Sequence, residues 1–244
     1  MLKCPSLVTS VLAFVILPSA LSQKAPEVGS VRLSRIGDLL RIQHIELTEP
    51  ALLRALNNPN PDVRFLAAMK LEEDKAVDAI PAIKEALAIE RVPRDRVNMA
   101  VALGLLGDPA GHAELKKVCA DRNFIPEFRL YAVRYMFDLH FQDADCLRAA
   151  EEVAESKDLR PGDRVSALSL LPQFQNLTPE ESQEVFELVL KCLEDPEPIV
   201  RMAASDALAS LGNPSAIPYI EAAIAKEQEE GTRLVFQRDL KKLR

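Results

Sequence analysis

Apolar residues recur at helical spacing in five stretches of the chain, each time shortly after an arginine. They lie three, four and seven positions beyond it, which places them in one stripe along an α-helix. The stripes consist of Ala67, Ala68 and Leu71; Met99, Ala100 and Leu103; Ala132, Val133 and Met136; Ala167, Leu168 and Leu171; and Ala204 and Leu208. Each stripe predicts a helix buried along one side, and the many alanines predict that neighbouring helices approach closely.

Each arginine ends a repeated signature, which reads acid or amide, two residues, proline, two residues, arginine. The first and last residues of the five copies are Asn58 and Arg64, Glu90 and Arg96, Asn123 and Arg129, Asp158 and Arg164, and Asp195 and Arg201. Proline suits the first turn of a helix, so each copy predicts a helix start. The arginines are 32, 33, 35 and 37 residues apart, a period typical of a stack of similar units.

A second helical segment follows each of these helices, at residues 76–87, 110–119, 144–153, 179–193 and 216–225. No stretch alternates between apolar and polar residues for long enough to suggest a sheet. We therefore predict an all-α fold, an α-α superhelix (solenoid) of about six to seven helix pairs, as one domain over residues 23–244. Arg32 and Arg233 continue the register without the proline, as expected of atypical terminal units.

Two copies carry a longer motif. They read Leu193-x-Asp195-Pro196-x-x-x-Val200-Arg201-x-Ala203-Ala204-x-x-Ala207-Leu208 and Leu56-x-Asn58-Pro59-x-x-Asp62-Val63-Arg64-x-x-Ala67-Ala68-x-x-Leu71. This motif resembles the HEAT-like repeats of the phycobilisome-lyase type, although the middle three copies lack the valine before the arginine. The resemblance implies that the ten signature residues named above form a ladder between adjacent units, and that the arginine-bearing helices line the concave side.

The N-terminal residues have the pattern of a secretory signal peptide spanning residues 1–22. Lys3 provides a positive charge, residues 7–17 are mostly apolar, and Ala20 and Ser22 are small residues placed for cleavage before Gln23. An uncleaved anchor or a buried helix is the alternative interpretation. We expect an exported protein, periplasmic or extracellular, and no later segment is long and apolar enough to span a membrane.

The net charge of the chain makes some classes of binding partner less suitable than others. Removal of residues 1–22 would take away one lysine and no acid, leaving 29 basic and 37 acidic residues and a net charge of about −8. An acidic chain of this kind argues against general binding of nucleic acid or anionic membranes.

The sequence offers little for catalysis. The three histidines are scattered, and only His140, with Asp143, Asp145 and Cys146, has the spacing of a metal site; a solvated loop with a capping aspartate is the favoured alternative. We expect no catalytic residue, no metal and no cofactor. Cys119, Cys146 and Cys192 are expected to be small buried side chains, with Cys119–Cys146 the one disulfide to test.

One row of residues suggests a binding surface. The position after each arginine is apolar, and the position four further on changes from apolar to charged along the array. The candidate partner-binding residues are Leu130, Arg134, Val165, Ser169, Met202 and Asp206. Packing between units is the alternative role for the apolar members.

We therefore expect an exported scaffold or binding protein that holds a protein or peptide partner on its concave face, with no nucleic acid bound and no catalytic role. Two alternatives remain open. The first is a bilin-lyase-like chaperone or enzyme, which the repeat resemblance allows. The second is a HEAT-like DNA-binding or repair protein, against which the acidic charge and the absence of tryptophan argue.

The signal pattern yields a direct prediction: the native protein begins near Gln23 and is recovered outside the cytoplasm. Ala20 and Ser22 occupy the small-residue positions that a signal peptidase needs. N-terminal sequencing of the protein from its native source measures this. An intact Met1 on protein recovered from the cytoplasm would contradict it.

Overall fold

A computed structural model describes residues 35–244, so the predicted signal peptide and Arg32 lie outside the described residues. This part of the chain forms thirteen α-helices and no strand. The helices are α1 Arg35–Ile42, α2 Glu49–Ala55, α3 Pro61–Glu73, α4 Ile80–Ile89, α5 Pro93–Leu105, α6 Pro109–Ala120, α7 Pro126–Asp138, α8 Ala144–Glu155, α9 Pro161–Leu170, α10 Pro179–Cys192, α11 Pro198–Leu211, α12 Ile217–Lys226 and α13 Glu230–Leu243. The predicted all-α fold of six to seven helix pairs is confirmed.

The five signature prolines begin five helices, as predicted. We call these the repeat helices: α3, α5, α7, α9 and α11, which start at Pro61, Pro93, Pro126, Pro161 and Pro198. The residue before four of these prolines is extended, and none of the five residues is helical, because a proline disfavours helical geometry in the residue that precedes it. The alanines of the predicted stripes are buried, so the repeat helices present these small side chains to their neighbours.

The helices form two layers. Odd-numbered helices pack in a continuous series from α1 to α13, and each even-numbered helix, which we call a second helix, packs against the odd-numbered helix that follows it. The core therefore lies between the layers, and one continuous cluster of buried residues runs through the units from Val97 to Leu240. No pair of helices could bury its apolar stripe alone, so the described units form one body.

The junctions within units differ from the predicted ones in detail. Short 3-10 turns at Val77–Ala79 and Pro214–Ala216 precede α4 and α12, so both helices begin later than the sequence suggested. A third 3-10 turn, Leu171–Gln173, extends α9 and is followed by a long turn to α10. This extra length accounts for the 37-residue spacing between the last two repeat arginines. None of the described helices is long and apolar enough to cross a membrane.

The structure corrects the expectation for two cysteines. Cys119 in α6 and Cys146 in α8 form a disulfide, with their Cα atoms 4.8 Å apart, so these residues are not simply small buried side chains. The bond joins second helices of neighbouring units, which bury both residues side by side. Cys192 is a buried free thiol, as expected.

A glycine allows α5 and α6 to approach closely. A Cβ atom at Gly111 of α6 would lie 2.4 Å from the carbonyl oxygen of Ala100 and 2.4 Å from the amide nitrogen of Gly104, both in α5. The backbones of α5 and α6 therefore touch at this point, and no side chain fits between them. By contrast, a Cβ at Gly162, the second residue of α9, would meet nothing within 4 Å.

We predict that Gly111→Ala destabilises the protein by about 1–3 kcal/mol or more, because the clash is with backbone atoms that cannot turn away. Gly162→Ala is the matched control, and it should leave the free energy of unfolding unchanged or raise it by up to about 1 kcal/mol. Urea unfolding of both variants measures the difference. Equal stability of Gly111→Ala and the wild type would show that the two helices can separate without cost.

Candidate functional site

The repeated arginines lie one turn into the repeat helices and point toward the loops between units. We call Arg64, Arg96, Arg129, Arg164 and Arg201 the ladder arginines. Arg64 donates to both carboxylate oxygens of Glu90 at 2.7 and 2.9 Å, and Arg201 donates to both oxygens of Glu227 at 2.8 and 3.0 Å. In both cases the arginine also donates to two backbone carbonyls of its own preceding loop. The first and last copies thus repeat one geometry in full.

The pair between Arg164 and Asp195 is the most buried of the set. Their side chains are 4% and 2% exposed, and Nη2 of Arg164 donates to the carboxylate at 2.5 Å. Arg164 also donates to the carbonyl of Ala154 at 3.1 Å. Burial alone would raise the pKa of Asp195, but hydrogen bonds from Arg164 and from the amide of Glu197 hold that pKa below its usual value. The two units are therefore joined by a charged pair that water hardly reaches.

Two ladder arginines use partners that the signature does not contain. Arg96 binds Glu114 of α6, and Arg129 binds Glu152 of α8 at 2.9 Å. Each of these glutamates lies on the second helix that follows the arginine, where no repeated spacing marks it. Arg129 also donates to the carbonyl of Cys119 at 2.9 Å, beside the disulfide.

Three signature residues differ from the predicted ladder. The amide of Asn123 cannot neutralise an arginine, and its side chain bonds Asp121 instead. The side chain of Asn58 accepts a hydrogen bond from the backbone amide of Asn60. Arg64 therefore donates only to the backbone carbonyl of Asn58 and not to its side chain. Asp158 is exposed, and no described arginine pairs with it, because Glu152 occupies Arg129. The acids Glu90 and Asp195 do pair with the arginine of the preceding copy.

A second charged network lies between α3 and α5. Asp95 is fully buried, and one of its carboxylate oxygens has no hydrogen-bond partner among the described residues. The other oxygen accepts from Arg94 at 2.7 Å. Arg94 also binds Asp62 of α3 and lies over the ring of Phe65, 4.7 Å from its centre. Burial raises the pKa of Asp95 to about 6, against the opposing effect of Arg94.

The predicted partner-binding residues divide by exposure. Arg134, Ser169 and Asp206 are exposed, Val165 and Met202 are half-buried, and Leu130 is buried. Leu130 is 6% exposed and packs in the core, which favours the alternative role given above for the apolar members, packing between units. Phe65 and Val97, which occupy the same position in α3 and α5, are buried too. The apolar strip expected along this face therefore serves packing in the first three repeat helices.

Arg134, Ser169 and Asp206 lie at the same position on consecutive repeat helices α7, α9 and α11, and we call them the partner row. Along the row the side chain changes from the cationic Arg134 to the small, neutral Ser169 and then to the anionic Asp206. Asp206 is also bound by Arg238 and Lys242 of α13, both at 3.0 Å.

Asp143, Asp145 and Cys146, considered with His140 as a metal site, have other roles. Cys146 is in the disulfide, and Asp143 caps α8 through the amide of Asp145 and binds Lys116 at 2.8 Å. Residues 35–244 contain no group of three or more histidine, cysteine, aspartate or glutamate side chains that could hold a metal ion.

A family model agrees with this architecture in the second half of the chain. A family model described as HEAT repeats matches residues 152–241, which include the Arg164 and Arg201 copies. The fold is a HEAT-like helical solenoid. Among solved structures, the chain is similar to human deoxyhypusine hydroxylase in complex with glycerol: 16% of residues are identical, the match covers 80% of this chain and 84% of that one, and the TM-score is 0.30. No curated protein matches the chain.

The first prediction from this geometry concerns the buried pair. Arg164→Ala should lower the free energy of unfolding by about 3–5 kcal/mol, because Asp195 would stay buried without its cation. Lys191→Ala is the matched control: it breaks an exposed pair between α10 and α8, Lys191 with Glu155, whose loss should cost about 0–1 kcal/mol. Denaturant unfolding of Arg164→Ala, Asp195→Ala and the double variant measures the coupling. Single variants as stable as the wild type would contradict a ladder that joins the units.

The second prediction concerns pH. The pKa of Asp95 in the folded protein, about 6, lies above that of an unfolded aspartate. Its titration therefore favours folding most below about pH 4, and this contribution is lost as the pH rises through about 6. The stability of the wild type relative to Asp95→Asn should fall across that range. Asp158→Asn, which changes the net charge equally at an exposed position, is the control, and a pH-independent difference for Asp95→Asn would contradict the prediction.

Proposed function

We propose that this protein is an exported scaffold that holds a protein or peptide partner along the exposed face of its repeat helices and has no catalytic role of its own. The partner row is the observation that carries the proposal. Packed helices lie roughly 10 Å apart, so three positions on consecutive helices cover about 20 Å. An extended peptide rises about 3.3 Å per residue, so the row suits a segment of about six residues.

The chemistry of the row supports a polar, oriented partner. A cation at Arg134 would meet an acidic residue of the peptide, and the cluster of Asp206 with Arg238 and Lys242 at the other end of the row differs from it in charge, so the two ends of a peptide would be distinguished. Ser169 leaves room between them for the backbone of the peptide. The half-buried Val165 and Met202 border the row and offer apolar contact.

Two features support export. Disulfides form and persist in oxidising compartments and are rare in the cytosol of most organisms. The Cys119–Cys146 bond therefore favours an environment outside the cytoplasm, in agreement with the N-terminal pattern of residues 1–22.

Affinity capture from the native envelope and extracellular fractions, followed by binding measurements on the captured partner, tests the proposal. Arg134→Glu and Ser169→Arg should weaken binding by about tenfold or more while leaving the melting temperature unchanged, because both positions are exposed. Glu187→Lys, an equally exposed charge reversal on α10, is the matched control and should bind like the wild type. Loss of binding in Glu187→Lys with full binding in the row variants would place the site on the second helices.

A further inference from the structure

Three boundaries between units are crossed by a ladder pair, where a unit is an odd-numbered helix with the second helix that follows it. In each pair a ladder arginine binds a carboxylate in the loop that leads to the next odd-numbered helix. The pairs are Arg64 with Glu90, Arg164 with Asp195, and Arg201 with Glu227. At a fourth boundary, between α7 and α9, Arg160 of the loop binds Glu127 of α7. Charge therefore joins the units at these four places.

The boundary between α5 and α7 differs from these. Among the described residues no ladder pair crosses it, because the loop carries the uncharged Asn123 at the position where the other loops place a carboxylate. Arg96 binds Glu114 within its own unit instead. An exposed pair, Lys116 with Asp143, does cross this boundary, but pairs at the surface contribute little to stability.

The disulfide lies at this same boundary. Cys119 of α6 and Cys146 of α8 are 0% and 1% exposed, and the chain between them contains the whole of α7. Arg129 of α7 donates to the carbonyl of Cys119 and to Glu152 of α8, both at 2.9 Å. The bond therefore holds together the two helices that this arginine connects.

We propose that the Cys119–Cys146 disulfide is an oxidative lock, which takes the place of the missing ladder pair between the α5–α6 and α7–α8 units. Without the bond the array is weakest at this boundary, and α7 opens more readily than the helices that ladder pairs hold. Both cysteines are buried, so a reductant in solution does not reach the closed bond in the folded chain. The lock is therefore set once, during folding.

Closing the lock is a two-electron oxidation by thiol–disulfide exchange with a small or protein disulfide as the oxidant. One cysteine thiolate attacks the oxidant disulfide and displaces its first sulfur as a thiol. The second cysteine then attacks the resulting mixed disulfide and displaces the second sulfur. The two cysteines are oxidised, the oxidant is reduced to two thiols, and these thiols take up the two protons that the cysteines lose.

The compartment in which the lock closes rests on the proposed export, whereas the redox dependence of the boundary does not. A chain in a reducing compartment keeps both thiols, and the bond forms after passage into an oxidising one. Arg134 of the partner row lies on α7, so closure would also fix one end of that row.

Urea unfolding tests the contribution of the lock. The chain is refolded from urea either with oxidised glutathione or with dithiothreitol, and the reduced form should have a midpoint lower by about 1 M or more. The double variant Cys119→Ala/Cys146→Ala should match the reduced form under both conditions. Cys192→Ala, which removes the buried free thiol of α10, is the matched control and should retain the full difference between the two forms.

Amide hydrogen exchange tests where the lock acts. In the reduced form, amides of α7 should exchange about tenfold or more faster than in the oxidised form. Amides of α11 and α13, whose units Arg201 and Glu227 join, should change by less than about twofold. Dithiothreitol added to the folded, oxidised protein should leave the bond intact.

Three results would overturn the inference. The first is an equal urea midpoint for the oxidised and reduced forms. The second is a uniform loss of protection along the array, which includes a reduced chain that does not fold at all. The third is a midpoint of the double variant that still depends on the redox reagent. None of these measurements uses a partner, so a failure here is distinguishable from a failure of the proposed scaffold function.

Discussion

The structure depends on pairing between the ladder arginines and carboxylates of neighbouring helices. Each repeat helix buries its apolar stripe between two others, and the guanidinium group at its first turn goes into the same interface. A buried cation must form an ion pair, and its remaining N–H groups must find hydrogen-bond acceptors. Arg164 satisfies this requirement with Asp195 across the unit boundary and with the carbonyl of Ala154. Register between units is therefore fixed by charge as well as by packing.

The middle of the array is held in an additional way. Arg129 donates to the carbonyl of Cys119, whose sulfur is bonded to Cys146 in the next unit. The ionic and covalent connections thus meet at one junction. Next to it, the backbones of α5 and α6 touch at Gly111. A partner bound along α7, α9 and α11 would meet a surface whose supporting helices cannot easily shift, which reduces the entropy lost on binding.

Packing and binding make different demands on equivalent positions of the repeat. The residue after the ladder arginine is buried in α3, α5 and α7 and becomes 58% exposed at Leu234 of α13. Four positions further on, the side chains of the later helices reach water and carry charge or a hydroxyl. The proposed partner row lies where the array stops needing these positions for its own core.

Much of the fold follows from local sequence. The five prolines set the helix starts, the stripes after each arginine set the buried sides, and the period of the signature sets the stacking, because helix initiation and amphipathic spacing act over a few residues. The choice of ion-pair partners is not local. Glu114 and Glu152 carry no signature, yet they take Arg96 and Arg129, because only the packed helices decide which carboxylate lies within reach.

The same holds for other features that depend on distance in space. Cys119 and Cys146 are 27 residues apart in sequence, and their bond requires α6 and α8 to lie side by side. The burial of Leu130 was invisible to a helical wheel, since it depends on how neighbouring units close over it. The sequence by itself determined the helices and their repeat. Tertiary packing decided which side chains are in contact, because each contact depends on the positions of several helices at once.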